Sequence, residues 1–373
     1  MRVLVYAAGI HRGGGPANHL RKLLTTLSDG GTPHEWTFIV NSQFPLPEHL
    51  APTIAIEQLH VRGPVDRLYQ DFFRQRVRAS VSDADVLLNL ADFGPLPHRL
   101  PVVTFQRNPN YYDTELLSLR HRGNRLNWEL RRRLAHWVVR QSDLVLCPSR
   151  AMTASVAGTV GLSSDRVHAL HHPFDVRSVA GGWVPCSPPR LLYVGHLMPH
   201  KNHHWLLQVF AASGLANDGV ELWMTAARED WPSAYDRLVY TAQEEGISDA
   251  VRLLGRVPPA EVPDLYRMST LFVFASLGES FGFPLVEALA SGTPTLALDT
   301  PIARELCGGS ARYLPKDVDA AASQLRAAYR DDARDLEHWS QAARARAAEF
   351  CISWPTWLQR LEQELEAVHN VRS

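Results

Sequence analysis

Two doubly wound α/β domains with mainly parallel sheets are what this chain predicts, on three observations. Short apolar runs of strand length alternate with segments of helical period along the sequence. A strand, a loop containing glycine and a helix follow one another near the start, and the same series begins again at Arg190. Between the two series lies VRSVAGGWVPCSPP, Val176 to Pro189, with Gly181-Gly182, three prolines and neither period. The expected division is therefore a first domain over 1–175, a linker over 176–189 and a second domain over 190–352. A length of 373 residues is enough for two full cores.

In the first series, Arg2-Val-Leu-Val-Tyr-Ala-Ala has the pattern of a buried strand, and Gly9 to Gly15 forms the loop. A helix follows from Pro16 to Leu27, with Leu20, Leu23, Leu24 and Leu27 on one face. The loop, GIHRGGGP, lacks the G-x-G-x-x-G spacing of a dinucleotide fingerprint, which disfavours a nicotinamide enzyme. It reads either as a tight βα turn or as a loop whose Gly14 and Gly15 let backbone approach a phosphate or sugar. Further strands are expected at Trp36 to Asn41, Thr53 to Ile56, Val86 to Leu90, Val102 to Gln106, Leu144 to Cys147 and Val167 to Leu170, with a long helix from Glu115 to Arg140. The second series runs through strands at Arg190 to Gly195, Val220 to Thr225, Val251 to Leu254, Leu271 to Ala275 and Thr295 to Leu298. Trp354 to Val368 is amphipathic through Trp357, Leu358, Leu361 and Leu365, and 353–373 is expected to pack back on the first domain.

Composition narrows the classes. A formal net charge of −1 offers no overall reason to expect nucleic acid. No apolar run approaches the ~18 residues of a membrane span, and MRVLVYAAGI reads as a first strand, so cytoplasmic residence is the expectation. Cys147, Cys186, Cys307 and Cys351 are scattered without metal-ligand spacing. Two D-x-D triplets occur, but Asp83 and Asp85 precede a strand and Asp317 and Asp319 open a helix, so neither is read as a metal site. His171-His172 has no third ligand nearby in sequence and is read as structural.

The chemistry concentrates in GESFGFPLVEALASG, Gly278 to Gly292. Glu279 and Glu287 stand eight positions apart, the first in a loop after an apolar strand, the second in the opening turns of a helix that Pro284 starts. A helix start carries unpaired N–H groups and partial positive charge, which stabilise an anion such as a diphosphate. Carboxylates beside it would accept hydrogen bonds from hydroxyls, so the pattern suggests a ligand with phosphate and sugar parts.

Together with YVGHLMPHKN at Tyr193 to Asn202, LLGRVPPAEVPDLYRMSTLFVFAS at Leu253 to Ser276, and PSRAMTASV with HHPFD before the linker, this stretch resembles the retaining glycosyltransferases of family four. The resemblance covers the second domain almost completely and the first loosely. It implies the GT-B architecture, two Rossmann-like domains facing across a cleft, and a nucleotide-sugar donor used as co-substrate with no cofactor or metal. By the same resemblance Glu279 would contact donor-sugar hydroxyls, and Ser280, Phe281 and Gly282 would line the donor, the last two through backbone N–H groups. Glu287 would hold the ribose, Lys201 the diphosphate beside Gly195, and the loop of Gly255, Arg256 and Val257 would border the base. The acceptor would be a glycan, a lipid-linked molecule or a small molecule.

The chain departs from the family in two places. An arginine that usually follows the strand glycine is replaced by His196, so His196 or Arg256 is expected to replace the missing cation. A histidine usual at the end of a first-domain strand is replaced by Gln106-Arg107-Asn108, which makes Asn108 the expected sugar contact, with Arg107 and Tyr112 on the acceptor side. Arg107 to Arg140 carries eight arginines against Asp113, Glu115 and Glu129. That excess reads first as a solvated helix face and second as a face for an anionic acceptor, with peripheral contact at the inner face of a membrane. The rival function is a non-catalytic subunit that binds a sugar nucleotide or serves as a scaffold. An epimerase or a phosphorylase of the same architecture is a third reading.

Overall fold

The computed structural model describes every residue except 12, 76–77, 80–82, 97–98, 120–124, 176–182, 185, 332 and 373. It divides into two units, Met1–Pro173 with Ile352–Ser373, and Phe174–Cys351.

The first unit is built on seven parallel strands, β1 (Arg2–Ala7), β2 (Glu35–Asn41), β3 (Ile54–Leu59), β4 (Val86–Asn89), β5 (Val102–Phe105), β6 (Leu144–Cys147) and β7 (Val167–Ala169). Their order, β3-β2-β1-β4-β5-β6-β7, reverses direction between β1 and β4, where Val3 pairs with Val86. Every residue of β4, β5 and β6 is buried, as a sheet covered on both faces requires. Helices α1 (Gly15–Gly30), α2 (Pro64–Tyr69), α3 (Thr114–Ser118), α4 (Arg125–Gln141) and α5 (Arg150–Val160) connect the strands. The single helix expected over Glu115 to Arg140 is instead the pair α3 and α4. The Asp113 carboxylate caps the first by accepting from the N–H groups of Glu115 and Leu116. The RHRGN part of the arginine-rich stretch lies outside the described residues.

The C-terminal helix, Trp354–Arg372, belongs to this unit. Trp357, Leu358, Leu361 and Leu365 share one core with Leu20, Leu23, Leu24 and Leu27 of α1. Each such side chain stabilises the unit by ~1.5–3 kcal/mol on burial, so this helix completes the sheet's cover. Three glutamates on it add polar ties: Glu362 to the Thr32 hydroxyl, Glu364 to His168 and Glu366 to His34.

The second unit carries six parallel strands, β8 (Arg190–Tyr193), β9 (Glu221–Met224), β10 (Val251–Leu253), β11 (Leu271–Phe274), β12 (Thr295–Leu298) and β13 (Arg312–Leu314), in the order β10-β9-β8-β11-β12-β13. Here the reversal falls between β8 and β11, where Leu191 pairs with Leu271. β13 is a strand that the periodicity did not mark. It has three residues at the sheet edge, too few to show alternation. Helices α6 (His203–Ser213), α7 (Pro232–Glu244), α8 (Val262–Arg267), α9 (Phe283–Ser291), α10 (Pro301–Cys307), α11 (Val318–Tyr329) and α12 (Ala333–Ala348) complete it. Of the stretch read as a linker, 176–182 and 185 lie outside the described residues. Trp183 and Cys186 lie on the second unit, where the indole donates to the Ser269 carbonyl at 2.7 Å and the thiol meets the Thr270 hydroxyl at 3.4 Å.

Candidate functional site

In an open parallel sheet, the loops on either side of the reversal diverge and leave a crevice at the carboxyl ends of the strands. In the second unit those are the loops after β8 and β11. The loop after β8 turns through Pro199–Lys201 into Asn202, the one non-glycine residue at positive φ (58°) among the described residues. Asparagine tolerates that left-handed conformation, which explains the Lys-Asn pair: the turn that starts α6 also sets the direction of Lys201. The loop after β11 is tied to it by backbone. Leu277 N–H donates to the His200 carbonyl at 2.8 Å, and the Ser276 hydroxyl lies 3.2 Å from the same oxygen.

Across this junction Lys201 Nζ donates to Glu279 Oε1 at 2.5 Å, and Ser276 Oγ donates to the same oxygen at 2.7 Å. The two charged side chains are only 13% and 14% exposed, so the pair is largely out of water. Burial pushes the Glu279 carboxyl upward, but the charges of Lys201 and His200 and the two hydrogen bonds outweigh it and hold the group below its ordinary value. Glu287, one helix further on, behaves oppositely. Burial dominates and raises it, against the Tyr266 hydroxyl that donates to Oε2 at 2.9 Å and the charge of Lys201. Among the described residues, Glu279 Oε2 and Glu287 Oε1 receive no hydrogen bond, so each carboxylate keeps one oxygen for a ligand.

Helix α9 begins between the two glutamates with no side chain capping it. Gly282, at φ 90°, makes that entry, and an added Cβ would also meet Leu306 Cδ1 at 3.2 Å. Phe281 is buried and touches Phe283 edge-on at 5.0 Å, which anchors the loop from below. The junction therefore gathers a cation, two carboxylates and an uncapped helix start within the two loops that flank the reversal. Gly195, at the end of β8, donates its N–H to the Thr225 hydroxyl at 2.9 Å.

His196 and Arg256, the two expected replacements for the missing arginine, meet at a residue that no motif marked. Asp230 receives His196 Nδ1 at 3.3 Å and the Leu197 N–H at 3.2 Å on one oxygen, and Arg256 Nε and Nη2 at 3.2 and 2.8 Å on the other. Val257 is half-buried beside Arg256.

The equivalent edge of the first unit is arranged differently. Gly14, at φ 87°, opens α1 with no side-chain cap, and Gly15 follows it into the helix. Arg107 donates through Nη2 to the Leu90 carbonyl and stacks over Phe105 at 5.7 Å. Burial pushes its guanidinium down to about 10, with Asp92 opposing. Asn108 caps a 3-10 turn, accepting from the Asn110 N–H at 3.3 Å and side chain at 2.7 Å while its own amide donates to Asp92 at 3.2 Å. Tyr112, expected on the acceptor side, is instead a core residue: it is 4% exposed and stacks on His136 at 5.2 Å. His172 is buried against His19 at 4.8 Å, and Asp317 caps α11 through the Ala320 N–H at 2.9 Å. Asp92, Asp230 and Tyr266 are the contributors that residue spacing did not reveal.

These second-unit loops also carry the sequence relationship. Residues 185–346 match the family of glycosyl transferases group 1. Among curated proteins, the chain is 29% identical over 157 residues to the O-antigen chain mannosyltransferase B of Escherichia coli, an alignment covering 42% of this chain and 39% of that one. It is 26% identical over 181 residues to the O-antigen chain mannosyltransferase RfbU of Salmonella typhimurium, covering 48% of each. The match thus spans less than half the length of these relatives. In three dimensions the chain resembles a sucrose-phosphate synthase of Thermosynechococcus elongatus, with a TM-score of 0.73 at 15% identity over 99% of both chains. It also resembles Anabaena HepE in complex with UDP-glucose, with a TM-score of 0.69 at 17% identity over 98% of this chain and 100% of that one. The fold is therefore GT-B, two α/β units each with a parallel sheet.

Proposed function

We propose that the chain is a retaining glycosyltransferase that moves a sugar from a nucleoside-diphosphate-sugar to an acceptor hydroxyl without a metal. The observation that carries this reading is the Lys201–Glu279 pair beside the uncapped start of α9, at the reversal of the second sheet. As the bond from the sugar's anomeric carbon to the diphosphate breaks, negative charge grows on the leaving phosphate. Lys201 and the α9 dipole stabilise that charge, and in a site with little water such fixed groups act without reorganisation. Glu279 Oε2 accepts from a donor-sugar hydroxyl, and Glu287 Oε1 accepts from the ribose. The new bond forms on the face that the diphosphate leaves, and the acceptor's proton passes to the departing phosphate oxygen. Asn108, which holds no basic group, removes no proton in this scheme.

The acceptor reading rests on the first unit. Leu126, Leu130 and Trp137 of α4 are 85%, 51% and 42% exposed and lie on one helical stripe with the 75%-exposed Arg133. An apolar stripe with arginine suits an acceptor presented at an anionic membrane surface. No helix among the described residues is long and apolar enough to cross a membrane.

The test is release of nucleoside diphosphate from a panel of UDP-, GDP- and dTDP-sugars, with crude acceptor, followed by NMR of the product's anomeric configuration. GDP-mannose and UDP-glucose come first, given the relatives' names and the bound neighbour. An inverted product sinks the retaining mechanism, and tight donor binding without turnover favours a binding subunit. Sedimentation with phosphatidylglycerol and phosphatidylcholine vesicles tests the membrane face; equal recovery with both removes the charge argument.

A further inference from the structure

Arg256 and Asp230 form one of several ion pairs on the second unit, and most such pairs are worth ~0–1 kcal/mol because both partners are solvated. Arg228–Asp236, from the same segment, is of that ordinary kind, with side chains 60% and 56% exposed. Arg256–Asp230 is asymmetric: the guanidinium is 64% exposed and the carboxylate only 7%. A carboxylate sunk into the loop scaffold anchors a cation whose other edge faces out. Arg256 spends Nε and Nη2 on Asp230, which leaves the Nη1 edge of its fork for another anion.

The anchor also has a direction. Asp230 follows β9, Arg256 follows β10, and His196 and Leu197 follow β8, so three adjacent strands meet on one side chain. By binding the Leu197 N–H, Asp230 fixes the loop that runs on to Lys201. It thereby ties Arg256, after the outer strand β10, to the loop after β8, the strand that borders the reversal. Gly255, at φ 71°, makes the turn that presents Arg256.

We propose that Asp230 is a positioning residue of the donor site, clamping Arg256 so that its outward edge supplies the second fixed cation for the diphosphate. This rests on the donor reading above. Arg256 is thereby the replacement for the arginine that His196 displaces, and His196 is a second ligand of the clamp. Two opposed effects decide the outcome of removing the carboxylate. Taking a negative charge from the site by itself tightens binding of an anion, whereas freeing Arg256 to swing in solvent loosens it. The clamp requires the second effect to win.

The experiment is calorimetric titration of inorganic pyrophosphate into the full chain and its Asp230→Asn, Arg256→Gln and double variants, with unfolding temperatures recorded for each. Arg256→Gln alters an exposed side chain and leaves the fold intact. Asp230→Asn keeps the shape and one acceptor. Each single change weakens pyrophosphate by about tenfold, the scale of one charge-assisted contact, and the double variant is no weaker than either single one. Arg256→Lys does not restore affinity, because an ammonium lacks the fork that Asp230 grips. Losses that add in the double variant, or tighter binding by Asp230→Asn, overturn the clamp while leaving the donor reading in place. A wild-type chain that binds no pyrophosphate and releases no nucleoside diphosphate from any donor overturns both.

Discussion

The two sheets bring the same kind of loops to the same kind of edge, yet they dispose of charge in opposite ways. In the second unit Lys201 and Glu279 pair at 2.5 Å while each keeps capacity for a ligand, and α9 opens beside them without a cap. In the first unit Arg107 is turned inward onto the Leu90 carbonyl and Phe105, Arg67 is tied to the buried Asp71, and Asn108 is spent on Asn110 and Asp92. One edge sets an ion pair beside an uncapped helix start, and the other uses its charges to hold its own loops. Equivalent topology thus fixes where a ligand can sit without fixing its chemistry.

The largest effect that tests this contrast is on turnover. Lys201→Ala removes the cation from the leaving group and is expected to cost ~10²–10³ in kcat, the scale of one lost preorganised electrostatic contact. It also leaves Glu279 unpaired in a poorly solvated site, so unfolding in urea should show a loss of about 3 kcal/mol. Normal turnover in this variant would remove the electrostatic account of the second unit.

Arg107→Met makes the converse case. With its hydrogen bond lost and its packing kept, it should cost about 2 kcal/mol of stability while nucleoside diphosphate affinity stays within twofold of wild type. A marked loss of affinity would show that the first-unit arginine reaches the donor after all.

Between the two glutamates the split should be finer. Glu279→Ala is expected to lower kcat by roughly tenfold or more with nucleotide affinity little changed, and Glu287→Ala to weaken the nucleotide by about tenfold, each having removed a hydrogen bond to a charged group. Equal effects of both on nucleotide binding would end that division.

The smallest effect is on pH dependence. Glu279 is held below its ordinary range, so the unfolded chain binds more protons there. Its stabilising contribution is present above the unfolded value and is lost as pH falls through the folded one. Glu287 is held above its range, so its contribution is present at low pH and is lost as pH rises through the folded value. Glu279→Gln should therefore flatten the acid side of the stability curve, and Glu287→Gln should gain stability relative to wild type on going from pH 4 to pH 7. Calorimetric melting of both variants across that range checks the signs.

What could be read before the fold was known were features whose physics is local. Pro284 marks a helix start, and the leucines of α1 and of the C-terminal helix mark buried faces, because each depends on neighbours within a turn or two. Tyr112 was misplaced because a tyrosine beside a polar loop has no sequence mark for the face it takes, and His136, on α4, takes it into the core.

By itself the sequence determined the alternation of strand and helix and the place of Glu279 and Glu287 on either side of one helix start, while the resemblance alone brought Lys201 to them. Only the tertiary structure decided their partners. Asp230 stands 34 residues from His196 and 26 from Arg256, and Tyr266 stands 21 from Glu287. At such separations pairing is set by strand order, since adjacent parallel strands end side by side whatever length of chain joins them. A lone aspartate carries no trace of that order, so its role became visible when β8, β9 and β10 were laid edge to edge.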